Sequence, residues 1–232
     1  MTGPRGLVGQ PTFLAKNVPT IPPFVGRKSE LEHLEQCFHA ALAGRPQVVL
    51  LRGEAGIGKT RVLNEALLIA ASLGFETCHG RCLEDIALPY LPFLQSLLTR
   101  LSTPSATDGV SPILDEDLAT IRRLLFSPVT PVAALGIVSS ERADEEKRRL
   151  FLAVSRAVMQ LVQGYPLVVA IDDLHWADQP SLDLLSHLVF TLADAAGQNP
   201  VPLVIIGAHR PVEPEERLAR TVDRFQREAV CQ

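Results

Sequence analysis

The sequence predicts an α/β fold in which a parallel sheet is covered by helices on both faces. Three observations carry that prediction. Short runs rich in Val, Leu and Ile alternate along the chain with segments whose apolar residues recur at helical spacing. One run, 47–51, passes directly into the glycine-rich segment Gly53-Glu54-Ala55-Gly56-Ile57-Gly58-Lys59-Thr60 and then into a helix. Another, 167–171, ends in the adjacent carboxylates Asp172 and Asp173. Neither run alternates apolar with polar residues, as expected of strands buried on both faces.

Composition supports one globular domain. The chain has 232 residues, 47% hydrophobic and 21% charged, which suffices for a sizeable core. A net charge of -4 supplies no positive field for a nucleic-acid backbone or an anionic membrane. The longest nearly apolar stretch, 66–75, is interrupted by Ser72 and Gly74 and is too short to cross a bilayer. The N-terminus lacks an apolar signal core, so the expected location is the cytoplasm. Cys37, Cys78, Cys82 and Cys231 are too few for a disulfide scaffold, and the 78–82 run has no second ligand pair at zinc spacing. Reduced thiols are the expected state.

Residues 1–23 are rich in Pro and Gly with no apolar period and read as a loose arm, leaving 24–232 as the domain. From Ser29, the spacing of Leu31, Leu34, Phe38 and Leu42 predicts a helix, with Glu30, Glu32 and Glu35 near its positive end and Gly44 and Pro46 at its stop. A strand at 47–51 follows, then the glycine-rich loop and its helix, then a second strand at 75–79. A helix is expected at 91–101, opened by Pro92, and at most one more, 114–126, within the Pro/Ser/Thr-rich stretch up to 140. Residues 143–163 form a longer helix with Leu150, Phe151, Val154, Val158, Leu161 and Val162 on one stripe and a solvated charged opening at 141–149. The strand 167–171, a helix at 181–193, a strand at 201–206 and a last helix at 215–228 complete the series.

The 53–60 segment fits a phosphate-binding loop, because its glycines let successive backbone N–H groups point at phosphate oxygens beside a helix N-terminus. Lys59 is placed to reach the terminal phosphates and to lie largely in solvent without them, while Thr60 is placed to offer its hydroxyl to Mg2+. Two acids at the mouth of a buried strand are costly unless a cation or water holds them. Asp172 is therefore assigned to magnesium and Asp173 to the attacking water. Asp178 reads as a helix N-cap. Arg210 emerges beyond the last strand, at the sheet edge where ligands gather, and is a candidate sensor of the terminal phosphate. His79, His175 and His209 receive no catalytic role, and Trp176 is read as packing rather than stacking on a base. The Asn-Lys-x-Asp signature for guanine is absent, which favours ATP over GTP.

Four ordered motifs, Phe24-Val25-Gly26-Arg27-Lys28-Ser29-Glu30, the 53–60 loop, Asp172-Asp173-Leu174-His175-Trp176-Ala177-Asp178 and Gly207-Ala208-His209-Arg210, together resemble the STAND signal-transduction ATPases. Within that class the chain is most similar to the AAA-type, origin-recognition-complex-like domain of large LuxR-type activators and cyclase-associated ATPases. The resemblance implies a three-layer P-loop NTPase of the additional-strand type, with strand order five, one, four, three, two. It implies ATP or ADP with Mg2+ as cofactors, and Val25, Gly26 and Arg27 over the adenine. The loop from Gly53 to Thr60, with Arg61 after it, would bind the phosphates. Thr60 and Asp172 would hold the metal, and Asp173, Lys59 and Arg210 would be catalytic. Such proteins switch between ADP and ATP states, self-associate and drive an effector domain. Only four strands are recognisable before 229–232, so the fifth strand, the lid and the effector are expected to be missing, and the 47–51 strand to lie at an edge. A nucleotide-binding switch without turnover is the alternative function, since Asp173 is shorter than the glutamate often found there. A small-molecule kinase would need an acceptor-binding motif, which 81–149 does not show.

Overall fold

The computed structural model describes residues 26–84, 89–90, 92, 97, 115–126, 140–197, 199–211 and 216–227. The expected arm, Val25, most of the 91–101 helix and the 229–232 segment lie outside the described residues.

Helix α1, Lys28–Leu42, leads to strand β1, Gln47–Arg52, and after the glycine-rich loop to α2, Lys59–Ser72, and β2, Glu76–Arg81. Helices α3, Asp115–Phe126, and α4, Ser140–Gly164, precede β3, Leu167–Asp172. A single 3-10 turn, Leu174–Trp176, then α5, Gln179–Ala196, β4, Leu203–His209, and α6, Arg217–Arg227, complete the described chain. All described strand pairs are parallel, and the order is β1-β4-β3-β2. This is the one, four, three, two sequence expected of the additional-strand sheet. Among the described residues β1 pairs with β4 alone.

The two inner strands explain their own composition. Every residue of β4 is buried, and five of the six in β3 are. Val168, Ala170, Val204 and Ile206 face a core made with α1 and α2, including Phe38, Leu63 and Phe75. Leu167, Ile171, Leu203 and Ile205 face the opposite core, where Val154, Val158, Leu182 and Leu185 pack from α4 and α5. Three layers result, and each strand alternates between two dry faces. The apolar stripe on α4 falls where its spacing predicts, with Leu150, Phe151, Val154, Val158 and Val162 buried. Its opening is mostly paired on its own surface, Glu145 accepting from Arg148 and Arg149, but Lys147 crosses to Asp183 on α5 at 2.6 Å. Between α3 and α4, Arg156 forks onto the buried Asp117.

All four strands differ in extent from the sequence reading. β1 continues to Arg52, β2 runs from Glu76 to Arg81, β3 continues to Asp172, and β4 begins at Leu203 and continues to His209. β4 runs on through Gly207, which serves as a spacer between its neighbours. A Cβ there would lie 2.9 Å from side-chain carbons of both Leu174 and Leu50, so only glycine lets β4 pass between them. No described helix is long and apolar enough to cross a membrane. Cys37, Cys78 and Cys82 are buried, and burial pushes the Cys82 thiol up to about 12.

Candidate nucleotide site

The loop after β1 is tied to the neighbouring strand at its first residue, since Gly53 N–H donates to His209 O at 3.2 Å. Gly56 and Gly58 then take left-handed φ values of 75° and 98°, which turns the chain back into α2. Gly58 is the N-cap of α2 and makes no side-chain cap. The first-turn N–H groups of that helix have no intrahelical acceptor, and the aligned helix dipole adds positive potential at the same place. Glu54, Ala55, Gly56 and Ile57 are exposed around this mouth, and Arg61 sits half-buried in the first turn of α2.

Lys59 differs from expectation. It is half-buried rather than solvent-facing, and its Nζ donates to Gly53 O at 2.8 Å and Glu54 O at 2.9 Å. An ammonium with three donors satisfies itself on the carbonyls of the loop it spans. Thr60 Oγ1 donates to Asp172 Oδ2 at 2.7 Å, and Asp172 Oδ1 accepts the Asp173 N–H at 2.9 Å. Asp172 is only 1% exposed, so both of its oxygens are engaged at the floor of the site.

Asp173 follows in the left-handed region, φ 54° and ψ 39°. Its Oδ2 accepts from Arg81 Nη2 at 2.8 Å and Nε at 3.0 Å, a partner at the end of β2 that the sequence reading did not include. Asp178 caps α5, its carboxylate accepting from Ser181 N at 2.7 Å and Ser181 Oγ at 2.9 Å. His175 packs its ring on the half-exposed Trp176 at 4.9 Å. Both His175 ring nitrogens are buried without a hydrogen-bond partner among the described residues. Burial holds the His175 imidazole below its ordinary pKa, with Asp173 favouring protonation and Arg210, Lys59 and His209 opposing it.

Arg210 is exposed immediately beyond β4. Its carbonyl accepts from Nδ1 of the buried His209 at 2.6 Å, so the sensor candidate leaves the sheet from a position fixed by the residue that also anchors Gly53. On the opposite flank, a cavity of about 380 Å3 opens between the loop, β1 and the start of α1. Gly26 and Arg27 at its rim have φ values of 82° and 64°. Arg27 donates to Glu30 at 2.7 Å and to Ile57 O at 3.4 Å, joining the α1 entry to the phosphate loop. The Arg27 bond, assisted by Ser29, draws the Glu30 carboxyl down to about 2. His33 and Arg52 also line this cavity, and no local pattern had marked either.

The structure thus brings the loop, Thr60, Asp172, Asp173 and Arg210 to the carboxyl edge of one sheet, with Arg27 across the loop. A profile of the AAA ATPase domain matches residues 23–206, most of the chain. The chain belongs to the AAA ATPase domain family. The match takes in the α1 entry, the phosphate loop and the Asp172-Asp173 strand end, and stops inside β4, four residues before Arg210. This AAA ATPase domain is 27% identical over 202 residues to the uncharacterized protein R02095 of Rhizobium meliloti strain 1021, covering 82% of the chain and 19% of the relative. It therefore spans about a fifth of that relative's length. Among solved structures it is similar to the Aeropyrum pernix ORC2 protein, described as ADPNP-ADP complexes, with 14% identity, a TM-score of 0.43, and coverage of 94% of this chain and 49% of that one. It is also similar to the Walker-type ATPase paby2304 of Pyrococcus abyssi, at 11% identity and a TM-score of 0.36, covering 87% and 59%.

Proposed function

We propose that this AAA ATPase domain binds ATP with magnesium on the Gly53–Thr60 loop, hydrolyses it slowly, and uses the nucleotide state as a regulatory switch. The observation that carries this reading is the Thr60–Asp172 hydrogen bond, which joins the phosphate loop to the strand end that also presents Asp173. The backbone N–H groups from Gly56 to Thr60 would hold phosphate oxygens. Lys59 would exchange the carbonyls of Gly53 and Glu54 for the terminal phosphates.

Two hard oxygens 2.7 Å apart at the start of a phosphate-loop helix fit magnesium, which takes few protein ligands and keeps its waters. Thr60 Oγ1 and Asp172 would hold it, and bound there it would neutralise charge on the phosphate oxygens. Asp173 would accept a hydrogen bond from the water that attacks the terminal phosphorus, with ADP as the leaving group. Arg210 would pair with that phosphate and so distinguish ATP from ADP. Gly26 and Arg27, with Val25 before them, would cover the base, the cavity beside Ile57 and Lys59 giving it room.

The 24–30 and 172–178 motifs support the finer reading, a STAND-type domain that works in the cytoplasm, self-associates and controls an effector elsewhere in its protein. A switch without appreciable turnover is the second reading, and the engagement of Asp173 by Arg81 favours it. Phosphate release measured with no added acceptor tests both. The first reading expects turnover that Asp173→Asn removes while ATP binding stays. No release from either protein would leave binding without catalysis, and equal release from the two would remove the role of Asp173.

A further inference from the structure

A second cavity, of about 850 Å3, lies between α4, α5 and α6 and shares no lining residue with the one beside the phosphate loop. Helix α6 is pinned there by its apolar face, with Leu218 and Phe225 buried and Phe225 edge-on to Phe190 of α5 at 5.9 Å. The same helix brings the exposed Arg217, Arg220 and Arg224 to the cavity at i, i+3 and i+7, a single stripe about 10 Å long. Like charges at this spacing oppose one another along a helix, so the stripe costs α6 stability until something acidic meets it. Arg224 rests over the Phe190 ring, Cζ 4.3 Å from its centroid, whereas Arg217 and Arg220 have no side-chain partner among the described residues. The acids of the lining do not neutralise the stripe. Asp183 has one oxygen on Lys147 at 2.6 Å and the other on Gln179 at 2.7 Å, which leaves Asp194 as the uncommitted carboxylate. In the same wall, His187 keeps Nε2 buried without a hydrogen-bond partner among the described residues, so an unmet polar group accompanies the unmet charge.

We propose that the α5–α6 groove docks an acidic polypeptide segment, a helix whose carboxylates recur at the spacing of the arginines. A guanidinium presents a planar fork that matches a carboxylate, and Arg217 and Arg220 hold theirs uncommitted at the rim. Phe190 is half-buried in the lining, so the groove offers apolar surface beside the charge. The length of the stripe selects a polypeptide over a free dicarboxylate, which is too short to reach along it. The α5 wall selects carboxylates over a nucleic acid, because a continuous phosphate backbone would run past Asp183 and Asp194 on a chain whose net charge is already -4. The proposal does not rest on the nucleotide reading, since none of these residues belongs to that site.

The test titrates the full chain into a fluorescently labelled Ala-rich peptide of about 20 residues, long enough to hold a helix, with Glu at i, i+3 and i+7, and into its Gln counterpart. Anisotropy at low salt is expected to show saturable binding of the Glu peptide, at least about tenfold weaker binding of the Gln peptide, and loss of binding as salt approaches about 0.5 M. Arg217→Gln and Arg220→Gln should each weaken the Glu peptide roughly two- to fivefold, the scale of an exposed ion pair, and the double variant about tenfold. Both arginines are exposed, so melting temperatures should stay within a few degrees, and a variant that does melt early is replaced by Arg220→Glu, which should reject the Glu peptide and accept its Lys counterpart. No binding of the Glu peptide, equal binding of the Gln peptide, or undiminished binding by the double variant would overturn the proposal. A duplex or single-stranded oligonucleotide that binds the groove as tightly as the Glu peptide would assign it to phosphate and overturn it as well.

Discussion

Thr60 and Asp172, 112 residues apart in the chain, are joined by a hydrogen bond of 2.7 Å across the floor of the site. The bond couples the first turn of α2 to the end of β3, and it places both proposed magnesium ligands before any ion arrives. Thr60→Val removes the hydroxyl at nearly constant volume. ATP affinity with magnesium is expected to drop about tenfold or more, while affinity in excess chelator changes little, because only the metal-dependent part is lost. The buried Asp172 oxygen loses a partner at the same time, at about 1–3 kcal/mol of stability. Paired titrations with magnesium and with chelator, and a melting curve, check both statements.

Arg210 has a partner only when a terminal phosphate is present, if its proposed role holds. Arg210→Ala should therefore weaken ATP binding by about tenfold and leave ADP binding almost unchanged, since a charged hydrogen bond contributes about 1.5–3 kcal/mol. Competition between the two nucleotides for one site measures the difference. Equal losses would remove the sensor role.

Much of this site is legible in the sequence because its parts are local. The loop, its helix and the Asp172-Asp173 strand end each announce themselves within a few residues. Arg81 does not, because its meaning depends on β2 lying beside β3, and a pairing across 92 residues leaves no local pattern. Lys59, at a helix start, is expected in solvent, but the carbonyls of Gly53 and Glu54 accept from its ammonium. The continuation of β4 through Gly207 is equally non-local, since it depends on the closeness of Leu50 and Leu174.

Three histidines give the fold an acid limit. Burial is the first cause that lowers the pKa of His175, His187 and His209 from the ordinary 6.5, and His209 is 3% exposed. Below that value the unfolded chain binds protons that the folded chain refuses, so stability is full above about pH 6.5 and declines as pH falls toward the depressed folded values. Glu30 acts in a lower window, keeping its contribution until pH falls from 4.5 toward about 2. Melting temperature should thus decrease between pH 7.5 and 5.5, and His209→Gln should flatten part of that slope. A flat profile in the unsubstituted protein would contradict the assignment.

The central claim is that the loop from Gly53 to Thr60 receives the phosphates of ATP, with Lys59 as their cation. Calorimetric titration of magnesium ATP into the unsubstituted protein and into Lys59→Ala tests it most directly. One saturable site is expected in the former, weakened at least about tenfold in the latter, as loss of a charged partner to phosphate requires, with the melting temperature kept within a few degrees. Absent binding, or the same affinity in both proteins, would contradict the account.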